Sequence, residues 1–208
     1  MSEVVSIDRD GADAARPALE RCVEEGGVAI FPADTLYGLA CDPLNAAAVK
    51  RIDEIKGRDE GKSSAVMYFS PLAMRELISG LDSRTRDAIG ALLPGPATLV
   101  VANPQRRYPL ACREDPERLG IRLIEGPLTG VMTPILQTSA NPSGVMPPTS
   151  FGEIDEGILG ATDLAIDAGE LLGAPSTVVD VTQIDEEGGW TILREGAVSR
   201  QEVERALG

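Results

Sequence analysis

Histidine is absent from all 208 residues. That removes the usual general base near neutral pH, the commonest zinc ligand and the middle member of any Ser-His-Asp triad. Chemistry built on positioning and charge stabilisation, such as phosphoryl or nucleotidyl transfer, needs little proton handling from the protein and stays open. Aromatic residues make up 3% of the chain, too few to interleave with nucleic-acid bases. Cysteine is scarce too. Cys22, Cys41 and Cys112 lie far apart with no C-x-x-C pair, so no zinc or redox centre is indicated and reduced thiols are expected. Basic residues are outnumbered, 19 Lys and Arg against 33 Asp and Glu, for a net charge of −14. Such a balance opposes a surface that grips nucleic acid all over, though it permits a local basic pocket. No apolar run is long enough to span a membrane. The acidic start MSEVVSIDRDGADAARP lacks the basic-then-apolar order of a signal peptide, so the expected location is cytoplasmic.

What is present fits one domain over residues 1–208, with 43% hydrophobic and 25% charged residues. Apolar patterning predicts strands at 4–7, 28–32, 64–69, 94–102, 119–124, 134–138, 163–167, 177–181 and 190–194. Helices are predicted at 11–25, with Ala14, Ala18, Leu19, Cys22 and Val23 on one side, at 45–56, 71–79 and 83–93, near 151–159, and from Ser199 onward. Asn45 is placed to cap the second of these and Gly57 to end it. Strands and helices interleave without a strict βαβ rhythm. The fold class is therefore α/β of the α+β type, a twisted mixed sheet with flanking helices.

Polar groups gather where strands end. FPADTLYGLACD (31–42) carries Asp34 and Thr35 out of a buried strand, a usual place for a ligand, or else for an Asx-turn leading to a capped helix. In IKGRDEGKSS (55–64) a left-handed Gly57 brings Lys56 and Arg58 toward one point, with Lys62 close behind. On this reading Lys56 and Arg58 face phosphate; the alternative is a solvated basic loop. PGPAT (94–98) reads as a stiff connection that delivers Thr98 to a strand start, more than as a ligand contact. TSANPSG (138–144) offers Thr138, Ser139, Asn141 and Ser143 beside a permissive Gly144, as an anion nest or as a turn satisfying itself. APSTVVD (174–180) and ILREG (192–196) add hydroxyls and an arginine. Five separated strand mouths with hydroxyls, amides and cations suit a polyanion together with a polar zwitterionic co-substrate.

In order and approximate spacing these segments resemble the YrdC/TsaC family, the L-threonylcarbamoyl-AMP synthases, from about residue 11 to the end. The resemblance implies a YrdC-like mixed sheet with a concave, positively charged cavity. It also implies a reaction in which L-threonine, bicarbonate or CO2, and ATP with Mg²⁺ give threonylcarbamoyl-AMP and pyrophosphate. The product would pass to a tRNA threonylcarbamoyltransferase complex that makes N6-threonylcarbamoyladenosine; a weak tRNA contact is left open, a membrane is not implied, and no metal site in the protein is assigned. By position, Thr35, Arg122, Thr138 and Ser176 match residues that hold threonine. Arg58, Lys62, Ala140 through its backbone, Thr149 and Arg194 match the ATP side. Lys56, Arg58, Ser139 and Asn141 match the K-x-R and S-x-N signature of the reacting centre. Departures are Ser63-Ser64 for a usual Pro-Leu, Met67 for a histidine near threonine, RLIEGP after Arg122, and Pro147 for a serine, with Thr149 as its substitute. The chain stops soon after LREG, so the extra C-terminal domain of longer relatives is not expected. Two alternatives remain at this point: a carbamoyl-adenylate-forming domain of the same kind, and a nucleotide- or RNA-binding module without turnover.

Overall fold

The computed structural model describes residues 2–57, 61–187 and 189–208. Among them ten strands form one mixed sheet: β1 (Glu3–Ser6), β2 (Ala29–Pro32), β3 (Tyr37–Cys41), β4 (Ala65–Tyr68), β5 (Ala97–Ala102), β6 (Arg118–Leu123), β7 (Ile135–Ser139), β8 (Leu164–Asp167), β9 (Thr177–Asp180) and β10 (Thr191–Arg194). Their spatial order is β1-β8-β2-β3-β7-β4-β6-β5-β9-β10. Pairing is parallel for β1–β8, β2–β8, β4–β6 and β5–β9, and antiparallel for the other neighbours. The helices are α1 (Ile7–Asp10), α2 (Ala12–Glu24), α3 (Ala46–Lys56), α4 (Pro71–Ser79), α5 (Ser83–Leu92), α6 (Pro109–Cys112), α7 (Glu156–Gly160), α8 (Ile184–Glu187) and α9 (Arg200–Leu207). None among the described residues is long and apolar enough to cross a membrane.

Helix α3 starts and stops where its sequence dictates. The Asn45 side chain accepts from the Ala47 and Ala48 N–H groups, satisfying two donors the first turn would otherwise orphan. At the other end Gly57 takes the left-handed conformation at φ 57° and turns the chain away. The predicted 11–25 helix is α2, but its buried side is Ala15, Ala18, Leu19 and Val23, with Ala14 exposed and Cys22 half-buried. The 151–159 segment is two pieces, a 3-10 turn at Phe151–Glu153 and then α7, each opened by its own cap at Ser150 or Asp155.

Strand β3 was not anticipated. After Pro32 the chain reverses through residues 33–36, where the Ala33 N–H bonds to the Leu36 carbonyl, and returns antiparallel to β2 with Phe31 opposite Gly38. Gly38 is required there, because a Cβ would lie 2.7 Å from a Phe31 ring carbon and 3.1 Å from the Thr138 carbonyl. The one-turn helices α1, α6 and α8 likewise carry too few residues for a periodic signal.

The sheet's two faces are covered unequally. On one, Leu39, Val66, Leu99, Ile121 and Leu136 pack with side chains of α3, α4, α5 and α9 into the larger core. On the other, α2 and residues 124–131 cover only part of the sheet, with Phe31, Met67, Phe69 and Ile135 beneath them. Each large aliphatic side chain buried this way contributes about 1.5–3 kcal/mol. Alternation along β5 and β6 sends Ala97, Leu99, Val101, Leu119 and Ile121 into the larger core. The intervening Thr98, Val100, Arg118, Gly120 and Arg122 line a cavity instead.

Candidate active site

That cavity has a volume of about 470 Å³. Its floor is the bare face of β5, β6 and β9, and its walls are residues 35–38, 62–65, 111–112, 115, 137–139, 175–176 and 193–194. The charged side chains lining it are Lys62, Arg118, Arg122, Arg194 and Asp115. Arg118 is paired with Asp180.

Arg122, 4% exposed, is held by Asp34 at 2.5 Å. The second Asp34 oxygen and the Arg122 Nε are buried with no hydrogen-bond partner among the described residues. Burial pushes the Arg122 guanidinium below its ordinary range, and the Asp34 charge and hydrogen bond oppose that shift. Arg194 is also lowered, first by burial and then by the nearby charge of Arg122. Two cations that disfavour each other in one cleft make an anion between them favourable. Arg194 bonds neutral groups: its Nη2 donates to the Ser176 carbonyl at 2.8 Å and to Ser176 Oγ at 3.1 Å, and its Nε donates to the same carbonyl at 3.2 Å. Ser176 Oγ is in turn 2.9 Å from Thr98 Oγ1.

Of the residues singled out in the sequence, Thr35, Lys62, Arg122, Thr138, Ser139, Ser176 and Arg194 meet in this one cavity. Arg58 lies outside the described residues. Lys56 and Asn141 are not among the residues lining the cavity. Lys56 is 5% exposed, and its Nζ donates to the Ser139 carbonyl at 2.5 Å, the Asn141 carbonyl at 2.7 Å and Asn141 Oδ1 at 3.3 Å. Its own carbonyl accepts the Ser143 N–H. Asn141 Nδ2 closes the loop onto the Val145 and Pro142 carbonyls. Lysine and asparagine thus tie the loop after β7 to the end of α3 from behind. The Ala140 N–H is donated to the Tyr37 carbonyl. Thr149 is engaged locally, with its N–H and hydroxyl both on Glu153 Oε2 at the start of a 3-10 turn. Met67 is fully buried in the smaller core and does not border the cavity.

The sequence reading missed Asp34 as the partner of Arg122, although it sits inside a motif already noted, and it set Thr98 aside as part of a stiff turn. The signal for Thr98 was period-2 alternation, which matters only once one face of β5 is known to be bare. Among the described residues no group of three or more His, Cys, Asp or Glu could hold a metal ion.

Residues 21–196 match the model of the Sua5/YciO/YrdC family, described as telomere recombination. The chain belongs to this family. Within the Sua5/YciO/YrdC family it is similar to a threonylcarbamoyl-AMP synthase of Pyrococcus abyssi, 31% identical over 197 residues that make up 89% of this chain and 55% of that protein. A threonylcarbamoyl-AMP synthase of Thiobacillus denitrificans is 30% identical over 183 residues, 83% of this chain and 94% of its own length. Among solved structures, P. abyssi Sua5 complexed with L-threonine superposes with a TM-score of 0.85 at 28% identity, over 100% of this chain and 61% of that one. YciO of E. coli gives 0.82 at 24% identity over 98% and 100% of the two chains, a likeness of fold. The chain therefore spans little more than half the length of the P. abyssi protein and nearly all of the T. denitrificans one. The mixed sheet with flanking helices expected from the sequence is the fold of this Sua5/YciO/YrdC chain.

Proposed function

We propose that this protein is an L-threonylcarbamoyladenylate synthase, which forms threonylcarbamoyl-AMP and pyrophosphate from L-threonine, bicarbonate and ATP. One observation carries the reading: seven polar or cationic residues from six separate chain segments, Thr35, Lys62, Arg122, Thr138–Ser139, Ser176 and Arg194, line a single cavity. Arg122, already oriented by Asp34, presents a guanidinium suited to the amino-acid carboxylate. Thr138 and Ser176 flank it with hydroxyls. Lys62 and Arg194 supply positive charge for the phosphates. The size is reasonable for a small zwitterion with part of a nucleotide.

The chemistry suits a chain without histidine. The threonine amine attacks the bicarbonate carbon; an N–C bond forms, water leaves with the amine proton, and a carbamate results. A carbamate oxygen then bonds to the α-phosphorus of ATP, and the bond from that phosphorus to its bridging oxygen breaks, with the electron pair departing on pyrophosphate. The protein's task is to hold two anions together and meet charge on the phosphoryl and leaving oxygens. Mg²⁺ belongs to the substrate as MgATP, where it neutralises phosphate charge. The product is a mixed anhydride of a carbamic and a phosphoric acid, so it calls for a transferase that moves its acyl group to N6 of a tRNA adenosine. A cytoplasmic location goes with that role.

Pyrophosphate release from ATP and bicarbonate, with and without L-threonine, is the test. Threonine-dependent release is expected. Release driven by carbamoyl phosphate instead would make the protein a carbamoyl-adenylate former, and no release under any condition would reduce it to a binding module.

A further inference from the structure

We propose that Thr98 is a positioning residue for this reaction, one that sets the hydroxyl of Ser176. The inference rests on the cavity being the substrate site. Thr98 is the second residue of β5, and β9 runs beside it in parallel, with Ala97 level with Thr177 and Thr98 with Val178. That register puts the Thr98 side chain, 7% exposed, next to Ser176, 6% exposed, just before β9 begins. Their hydroxyl oxygens are 2.9 Å apart.

The donor and acceptor count makes Thr98 decisive. A serine hydroxyl has one hydrogen and two lone pairs, while arginine has donors only. Arg194 Nη2 therefore occupies one lone pair of Ser176 Oγ. One lone pair and the hydrogen remain. Thr98 engages one of them and leaves the other for a ligand, so its hydroxyl determines whether Ser176 meets the substrate as donor or as acceptor. Without Thr98 the Ser176 rotor is held by Arg194 Nη2 alone, while the Arg194 bonds to the Ser176 carbonyl remain. Close packing of the neighbouring backbone, where a Cβ on Gly196 would fall 2.1 Å from the Pro175 carbonyl, keeps the whole corner from adjusting.

Thr98→Val keeps the shape and removes the hydroxyl, and Thr98→Ser keeps the hydroxyl and removes the methyl. In the full chain Thr98→Val should raise the KM for L-threonine about tenfold with kcat nearly unchanged, as loss of one ground-state hydrogen bond does. Thr98→Ser should stay within about twofold of the parent on the same reasoning. Without substrates, the Ser176 Hα–Hβ couplings, read by NMR, should shift from those of one staggered rotamer toward rotamer-averaged values in Thr98→Val alone, as expected when a held hydroxyl rotor is released. Thermal midpoints check that both variants are folded. Parent-like Ser176 couplings in Thr98→Val overturn the inference whatever the kinetics. So does a Thr98→Ser protein as impaired as Thr98→Val, since the methyl and its packing would then be responsible. Should the parent protein show no threonine-dependent pyrophosphate release, the proposed function falls, and the coupling measurement still decides the role of Thr98.

Discussion

The ammonium group of Lys56 donates to carbonyl oxygens of the loop it supports, and this changes what its loss should do. Were it a phosphate ligand, removing it would abolish turnover and leave the fold intact. As a clamp it should affect both. Lys56→Met is expected to cost about 1.5–3 kcal/mol of stability, the range for hydrogen bonds to a charged group, with turnover falling in parallel. Urea denaturation and pyrophosphate release measured on the same preparation check this. An unchanged midpoint with lost turnover would return the ammonium group to the substrate. At this scale the sequence announced the turn but not its direction. The left-handed Gly57 was legible, because a helix ending in Lys-Gly signals it. Which groups meet Lys56 depends on β7 arriving 83 residues later, a contact that no local pattern encodes.

Whole elements were easier to read wherever one side of a segment met the core and the other met something different. Strands at 64–69, 119–124 and 163–167 fall within a residue of β4, β6 and β8 because their apolar runs are bounded by clear polar or turn residues. β3 escaped because all five of its residues are buried, with glycine and alanine on the side facing away from the larger core, so no alternation marks it. The polar strand ends were legible as five separate motifs, and most of their side chains do meet in one cavity. What was lost was the set of partners behind them, Asp34 and Thr98, since a supporting residue has no signature of its own. The glycine of LREG belongs to this scale. Gly196 lets the chain after β10 pass against Pro175 and Ser176, where an added Cβ would lie 2.7 Å from the Ser176 carbonyl carbon. Gly196→Ala should therefore cost about 1–3 kcal/mol as overpacking and reduce turnover by displacing Ser176 and Arg194 together. A variant matching the parent in both midpoint and activity would disprove the close approach.

For the molecule as a whole, a net charge of −14 sets the terms on which it meets other polyanions. Many cationic groups outside the cavity are paired with carboxylates, as in Arg51–Asp163 and Arg113–Asp53, which reduces the free positive charge offered to tRNA. Filter binding of unmodified tRNA at 0.15 M salt is expected to give a Kd weaker than about 100 μM. A tight complex that dissolves as salt rises would overturn that expectation and give the protein a direct role in delivering its product. The unequal covering of the sheet has a further consequence, for how the chain can change over generations. Along β5, β6 and β9 one set of alternate residues, Leu99, Val101, Leu119, Ile121 and Val179, is locked into the larger core, while Thr98, Val100, Gly120, Arg122 and Val178 line the cavity. Substitution in the second set leaves the first undisturbed, so one scaffold can trade one small substrate for another by altering every other letter of three short strands.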